Sequence, residues 1–344
     1  MSSMHDESSR IRAAVLGGGS WGTALAQLLA RKGHTVRLWA REPEVIEGIN
    51  ARHENPLFLE GIPLDERVVA EGRIDDVVRD ADLVLFTIPT QFLRPFLVQY
   101  REAFPPDAIL VNGSKGIEKN TLATPFEVMV DELPGKYHRR LAVLSGPSFA
   151  REVALNMPTN VTVACGDEDV ARAVQRMMAD FTFRVYRNGD VMGTEIGGAV
   201  KNVLAIAAGA SDGFGFGHNA LAGLITRGLS EMTRLAQKKG GNPLTLAGLA
   251  GMGDLVLTCT GDASRNRSVG IQLARGKTLS EIVSSMRMVA EGIPTAISLH
   301  QMSLALAVEL PICEQVYQVL HEGRPVGDGV AALLGRPLGP EKKD

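Results

Sequence analysis

Short apolar runs alternate with amphipathic stretches along the first half of the chain. Residues 13–16, Ala-Ala-Val-Leu, are too few for a helix and suit a buried parallel strand. Leu25, Leu28 and Leu29 follow at i, i+3, i+4 spacing, which predicts a helix opening near Ser20. Gly33 ends that helix, and residues 35–39 form the next strand. Residues 44–65 read as a polar, proline-containing connection. Further short strands are predicted at 83–87, 108–111, 141–144, 161–164 and 183–186, with a helix over 168–179. Thr90, after Ile88-Pro89, is placed to cap the helix that follows it. Strands alternating with helices predict an α/β, doubly wound domain. Near Asp190 the pattern changes. From there to about Leu334, helical stretches punctuated by Gly, Asn and Pro replace the strand signals, with no fixed-period repeat.

The glycines give the first domain a purpose. Gly17, Gly19 and Gly22 fit G-x-G-x-x-G between a strand and a helix, the context in which this motif binds dinucleotides. Gly17 permits the tight turn, Gly19 lets backbone approach a pyrophosphate, and Gly22 brings the helix close to the strand. The free N–H groups and dipole of the helix starting at Ser20 face the diphosphate. Arg41, just past the second strand, suits a 2′-phosphate, and Glu42 beside it keeps a ribose 2′-hydroxyl in play. The expected organisation is a tail at 1–10, a Rossmann-type dinucleotide-binding domain at 11–189, an all-helical C-terminal domain carrying substrate and catalytic groups at 190–335, and a tail at 336–344.

Composition narrows the class. The chain has 344 residues, and 36 Lys and Arg against 39 Asp and Glu leave a net charge of −3, with no electrostatic footprint for nucleic acid or an acidic membrane surface. Residues 1–10 are polar and do not resemble a signal peptide. The apolar stretch 292–308 is interrupted by Pro294, Ser298, His300, Gln301 and Ser303, and reads as a core helix instead of a membrane span. Cys165, Cys259 and Cys313 are widely spaced, which fits a reducing cytoplasm. No His/Cys/Asp spacing argues for a metal.

Several polar residues stand in contexts that call for chemistry. Lys201 is one cation in the apolar stretch 197–206, where burial lowers the ammonium pKa toward the range useful for proton transfer. The alternative is a lysine snorkelling from an ordinary helix. Asp254, among glycines and apolar residues, could hold Lys201, bind a substrate hydroxyl or cap a helix. Ser264, Arg265 and Asn266 open a helix and suit a phosphate cradle, or a solvated helix start. Lys115 and Ser148 lie just past strand ends and should face the cofactor crevice. Residues 289–292 read as a helix end. Cys259 reads as a small core residue, and His218 as structural or substrate-proximal.

These residues sit in segments that resemble the bacterial NAD(P)-dependent glycerol-3-phosphate dehydrogenases. The segments are 17–22, 112–118, 145–150, 195–202, 251–259, 264–267 and 289–292, in family order over nearly the whole chain. The resemblance implies reduction of dihydroxyacetone phosphate to sn-glycerol 3-phosphate with NAD(P)H, feeding glycerophospholipid synthesis. It implies Lys201 as proton donor and acceptor. Substrate contacts are implied for Lys115, Gly146, Ser148, Lys201, Asp254, Ser264, Arg265 and Asn266. Cofactor contacts are implied for Gly17, Gly19, Ser20, Trp21, Gly22, Arg41, Lys115, Ala150, Arg265, Val289 and Glu291. A homodimer is one compatible assembly. The rival readings are a dehydrogenase of the same plan acting on another hydroxy acid, and a Rossmann redox sensor without turnover.

Overall fold

The computed structural model describes residues 10–339 and 341, so most of the expected N-terminal tail (1–9) and residues 340 and 342–344 of the C-terminal one lie outside the described residues. Eight strands make one sheet: β1 (Arg12–Leu16), β2 (Thr35–Trp39), β3 (Val68–Glu71), β4 (Leu83–Phe86), β5 (Ile109–Asn112), β6 (Leu141–Ser145), β7 (Thr159–Ala164) and β8 (Phe183–Asn188). Their order is β3-β2-β1-β4-β5-β6-β7-β8. Neighbours pair in parallel except β6 and β7, which are antiparallel. The strand order reverses between β1 and β4, and in such sheets ligands bind beyond the carboxyl ends at that point.

The central strands β4 and β5 are buried at every position, because helices cover both faces. This is why they read as continuous apolar runs and not as alternations. β8, at the sheet edge, begins by alternating buried and exposed. Three local expectations change. Residues 44–65 are not all connection: Pro43–Arg52 is a helix with Pro at its first position, burying Val45 and Ile49 one turn apart. Thr90 does not cap its helix, Thr90–Tyr100; Pro89 holds the cap position and Thr90 is the first helical residue. Residues 289–292 begin a helix instead of ending one, with Glu291 at the N-cap of Gly292–Ala305. β3 escapes a sequence reading because four residues with one partly exposed face carry little periodic signal.

After β8 every described element is helical. The central helix, Val191–Gly213, starts where Asp190 accepts from the N–H of Gly193 at 2.9 Å. It is long and apolar enough to cross a membrane, yet 83% of its most apolar stretch is buried inside the protein. Helices His218–Lys238, Asp254–Thr260, Arg265–Ala274 and Gly292–Ala305 pack around it. Glycine lets two of these backbones touch. A Cβ on Gly209 would lie 1.9 Å from the carbonyl oxygen of Arg267, and one on Gly270 would lie 1.9 Å from that of Ile206. With the helices this close, Asn266 Nδ2 reaches Asn202 Oδ1 at 2.9 Å.

The contact is backbone against backbone, so no side-chain rotation can relieve an added methyl. Gly270→Ala is expected to destabilise the fold by about 1–3 kcal/mol or more. Urea denaturation followed by circular dichroism would check this.

Candidate functional site

The crevice is built first from the glycine turn after β1. Gly17 has φ +128°, and a Cβ there would meet Thr87 Oγ1 at 2.7 Å. Gly22 lies on Gly17, since its Cβ would stand 2.0 Å from the Gly17 carbonyl oxygen. The space above Gly19 is open: a Cβ there would meet nothing within 4 Å. The helix Ser20–Arg31 follows with no side-chain cap, so its first N–H groups point toward that space. Asn55 braces the turn from below, donating to the Gly18 carbonyl and to Thr23 Oγ1, both at 2.8 Å. Arg41 stands past β2 with 72% of its side chain exposed, 3.6 Å from Glu42.

Around the same crevice, several buried polar atoms lack a hydrogen-bond partner: Trp21 Nε1, Thr90 Oγ1, Ser145 Oγ and Glu291 Oε2. Glu291 Oε1 accepts from the N–H of Thr90 at 3.2 Å, which ties the start of one helix to that of another. Burial pushes the Glu291 carboxyl up to about 7, opposed by its hydrogen bond to Thr90 and by Arg265. An open glycine, uncapped helical N–H groups and orphaned donors and acceptors suit a large polar ligand. The dinucleotide fits the residues present.

The second half of the site is a charge cluster. Lys115, on the loop after β5, donates to Asp254 Oδ2 at 2.6 Å and to the Gly146 carbonyl at 3.2 Å. Lys201, on the central helix, donates to Asp254 Oδ1 at 2.5 Å and to Thr258 Oγ1 at 3.0 Å. The Asp254 side chain is 1% exposed and the Lys201 side chain 9%. Burial, helped by the nearby Lys115 charge, lowers Lys201 to about 8 against the pull of Asp254. Burial alone would raise the Asp254 carboxyl, but the two lysines hold it below its ordinary value. Two cations share one anion, so the cluster has a net positive charge that a developing oxyanion or a phosphate would neutralise. The backbone before Asp254 is a short π-helical turn, Leu249–Gly253, where a Cβ on Gly251 would stand 2.1 Å from the Leu246 carbonyl.

The remaining expected residues are placed as follows. Gly146 takes φ +132°, and Ser148 Oγ donates back to its carbonyl at 3.0 Å. Ala150 opens a short helix, Ala150–Ala154, packed on the core of the sheet domain. Ser264 caps Arg265–Ala274 by accepting from the N–H of Arg267 at 3.2 Å. Arg265 Nη1 donates to the Val289 carbonyl at 2.8 Å, so these two are joined. Asn266 is buried, and its side chain already bonds Asn202 and the N–H of Gly292. Arg267, in contrast, is spent on Asp212 and Asp262. Cys259 is buried in the core, and burial pushes its thiol up to about 12, which leaves no nucleophile. His218 is exposed at the start of its helix. Among the described residues no group of three His, Cys, Asp or Glu could hold a metal. Thr258, Asn112 and Glu195 were not singled out from the sequence. Their only signal is membership of motif segments, since the contacts of Thr258 with Lys201 and of Asn112 with Glu195 join distant parts of the chain.

Comparisons with known proteins point to one family. The family model described as NAD-dependent glycerol-3-phosphate dehydrogenase N-terminus matches residues 12–171, and that described as the C-terminus of the same enzyme matches 190–331. The chain is 55% identical to the glycerol-3-phosphate dehydrogenase (NAD(P)+) of Geobacter sp. (strain M21) over 325 residues, 94% of this chain and 97% of that one. It is 51% identical to the enzyme of that name from Myxococcus xanthus (strain DK1622), over 95% of this chain and 97% of that one. Among solved structures it is similar to glycerol-3-phosphate dehydrogenase from Coxiella burnetii, with a TM-score of 0.90 and 38% identity over 95% of this chain and 99% of that one.

Because Gly19 faces open space, Gly19→Ala should leave the thermal stability of the free protein nearly unchanged while obstructing the diphosphate. An increase in Kd for NADPH of about tenfold or more is expected, since one displaced methyl-sized contact and lost hydrogen bonds amount to about 1.4 kcal/mol or more. Fluorescence titration alongside a melting curve would check it.

Proposed function

The chain belongs to the NAD-dependent glycerol-3-phosphate dehydrogenase family, and from that premise we propose that Lys115, Lys201 and Asp254 form its active site, with Lys201 as proton donor and acceptor. The reaction is the reduction of dihydroxyacetone phosphate to sn-glycerol 3-phosphate and its reverse. The carrying observation is the Lys201 ammonium, buried on the central helix and held at 2.5 Å by Asp254.

Bound NAD(P)H supplies the hydride. The residues that would hold it are Gly17, Gly19, Ser20, Trp21 and Gly22 at the glycine turn, Arg41 beyond β2, and Lys115, Ala150, Arg265, Val289 and Glu291 around the crevice. Negative charge grows on the substrate carbonyl oxygen during reduction. Cationic Lys201 stabilises that charge and donates its proton to the oxygen. In the reverse direction neutral Lys201 removes the proton from the hydroxyl. Asp254 orients Lys201 and Lys115 together. Lys115, Gly146, Ser148, Ser264, Arg265 and Asn266 would place the substrate, with Arg265 and the helix start after Ser264 toward the phosphate. Fixing the phosphate fixes the carbonyl, which is where proximity contributes.

The enzyme on this reading works in the cytoplasm and feeds glycerophospholipid synthesis, with a small anionic substrate as its partner and neither nucleic acid nor membrane required. Three free, buried cysteines support a reducing compartment. The reading is compatible with a homodimer. Arg41, exposed and held only loosely by Glu42, supports use of a 2′-phosphorylated cofactor.

Lys201→Ala is expected to lower kcat for reduction by about 10²–10⁴ with NADPH binding preserved, the range for loss of a general acid. Retained wild-type turnover would remove Lys201 from this role. The pH dependence follows from the lowered Lys201 pKa of about 8. Reduction needs the protonated amine, so its rate should fall as pH rises through that value. Oxidation needs the neutral amine and should rise over the same interval. Initial rates in both directions across that range would show the two opposite limbs. Arg41→Ala should raise KM for NADPH by about tenfold with little change for NADH, one lost charge-assisted contact being about 1.5 kcal/mol or more.

A further inference from the structure

A second polar bridge joins the sheet to the central helix beside the Asp254 cluster. Glu195 is buried on the helix Val191–Gly213, ahead of Lys201 on the same element. Its Oε1 accepts from Asn112 Nδ2 at 2.8 Å, its Oε2 accepts from the N–H of Phe126 at 3.2 Å, and the Thr124 side chain adds another hydrogen bond. Asn112 is the last residue of β5 and is fully buried. The same amide folds the loop that follows. Asn112 Nδ2 donates to the Ser114 carbonyl, and Asn112 Oδ1 accepts from the Ser114 N–H, both at 3.0 Å. The next residue in that loop is Lys115.

Helix geometry makes this bridge a constraint on the active site. Glu195 and Lys201 are separated by roughly 9 Å along the helix axis and about 120° around it. Lys201 faces Asp254, whereas Glu195 faces β5. Gly198 lies between them and lets the Lys115 stem pass: a Cβ there would stand 3.4 Å from Lys115 Cγ and 3.0 Å from Ser145 Oγ. A rotation or slide of the helix that kept the Lys201–Asp254 contact would break the Glu195–Asn112 contact. Cohesion alone does not call for a carboxylate here. Burying a charge is costly, and burial pushes Glu195 up to about 7. An apolar pair would close the same seam without that cost.

We propose that Glu195 is a positioning residue: acting through Asn112, it fixes the Lys115 loop against the helix that carries Lys201 and so sets how the two lysines meet on Asp254. The proposal rests on the reading of Lys201 as proton donor. Glu195 touches neither lysine, and its effect passes through the amide of Asn112.

The test uses the full-length protein with Glu195→Gln, Asn112→Ser and the double variant. Glutamine keeps the volume, but it must turn an N–H toward either Phe126 N–H or Asn112 Nδ2, so one hydrogen bond is lost. Each single variant is expected to lower kcat for dihydroxyacetone phosphate reduction roughly 10- to 100-fold, the scale of an ångström-sized misplacement. The apparent pKa of the kcat profile should move, and hydrogen exchange of the backbone amides at 113–117 should quicken. NADPH binding should weaken far less than kcat falls, because Lys115 is one cofactor contact among several. The double variant should be no slower than the slower single, because both substitutions cut one connection.

A lowered Tm with unchanged kcat and unchanged exchange would overturn the proposal, as would losses that multiply in the double variant or that parallel loss of NADPH binding. If Glu195→Gln does not fold, Glu195→Met decides by the same kinetic and exchange readouts, because Asn112→Ser alone also cuts the Ser114 contacts. Lys201→Ala run alongside separates the failures. If that variant is fully active, the proton-donor reading itself is overturned. If it is inactive while the Glu195 and Asn112 variants behave as wild type, only the positioning role is lost.

Discussion

One buried carboxylate organises this protein. Asp254 holds Lys115 from a sheet loop and Lys201 from the central helix, with an oxygen for each. Taking these charges out of water is expensive, and the pairing repays it only if the geometry is good. The fold must therefore bring three distant pieces of chain to one point and hold them there. The π-helical turn before Asp254 and the glycines that admit it are consequences of that demand. With two lysines on one carboxylate, the cluster keeps a surplus of positive charge.

Close approach of backbones makes the arrangement rigid. Gly197 lies against the carbonyl of Ala250, which sets the π-helical turn on the central helix. Gly209 and Gly270 do the same for the helix that begins at Arg265. Gly292 lies against the carbonyl of Asn202, which brings Glu291 to the start of the Thr90–Tyr100 helix. Small residues at these seams contribute little cohesive area of their own. Their effect is to let polar groups on opposed backbones reach one another: Asn266 donates to the Asn202 side chain and accepts from the backbone N–H of Gly292.

Much of this was legible along the chain, and unevenly so. The first strand, turn and helix were readable because each signal is local: an apolar run, glycines at fixed spacing, a leucine stripe. Lys201 and Asp254 stood out because each is a charge in an apolar stretch. Asn266 and Arg267 are neighbours in one motif, yet one side chain bonds the helix network and the other pairs with Asp212 and Asp262. The helix at Pro43–Arg52 is not readable, because two buried apolar side chains give a weak periodic signal, whereas the apolar stretch from 292 reads as the core helix it is.

By itself the sequence determined the doubly wound sheet followed by helices, the glycine turn and the family to which those motifs belong. These depend on residue type and spacing within one or two turns, which the chain carries wherever it folds. Only the tertiary structure decided which groups are partners. Asp254 serves two lysines, Glu195 reaches Asn112, and Glu291 caps a helix two hundred residues earlier in the chain. Such pairings are set by helix rotation and by the distance between backbones. Both are properties of packing, and no local pattern encodes them.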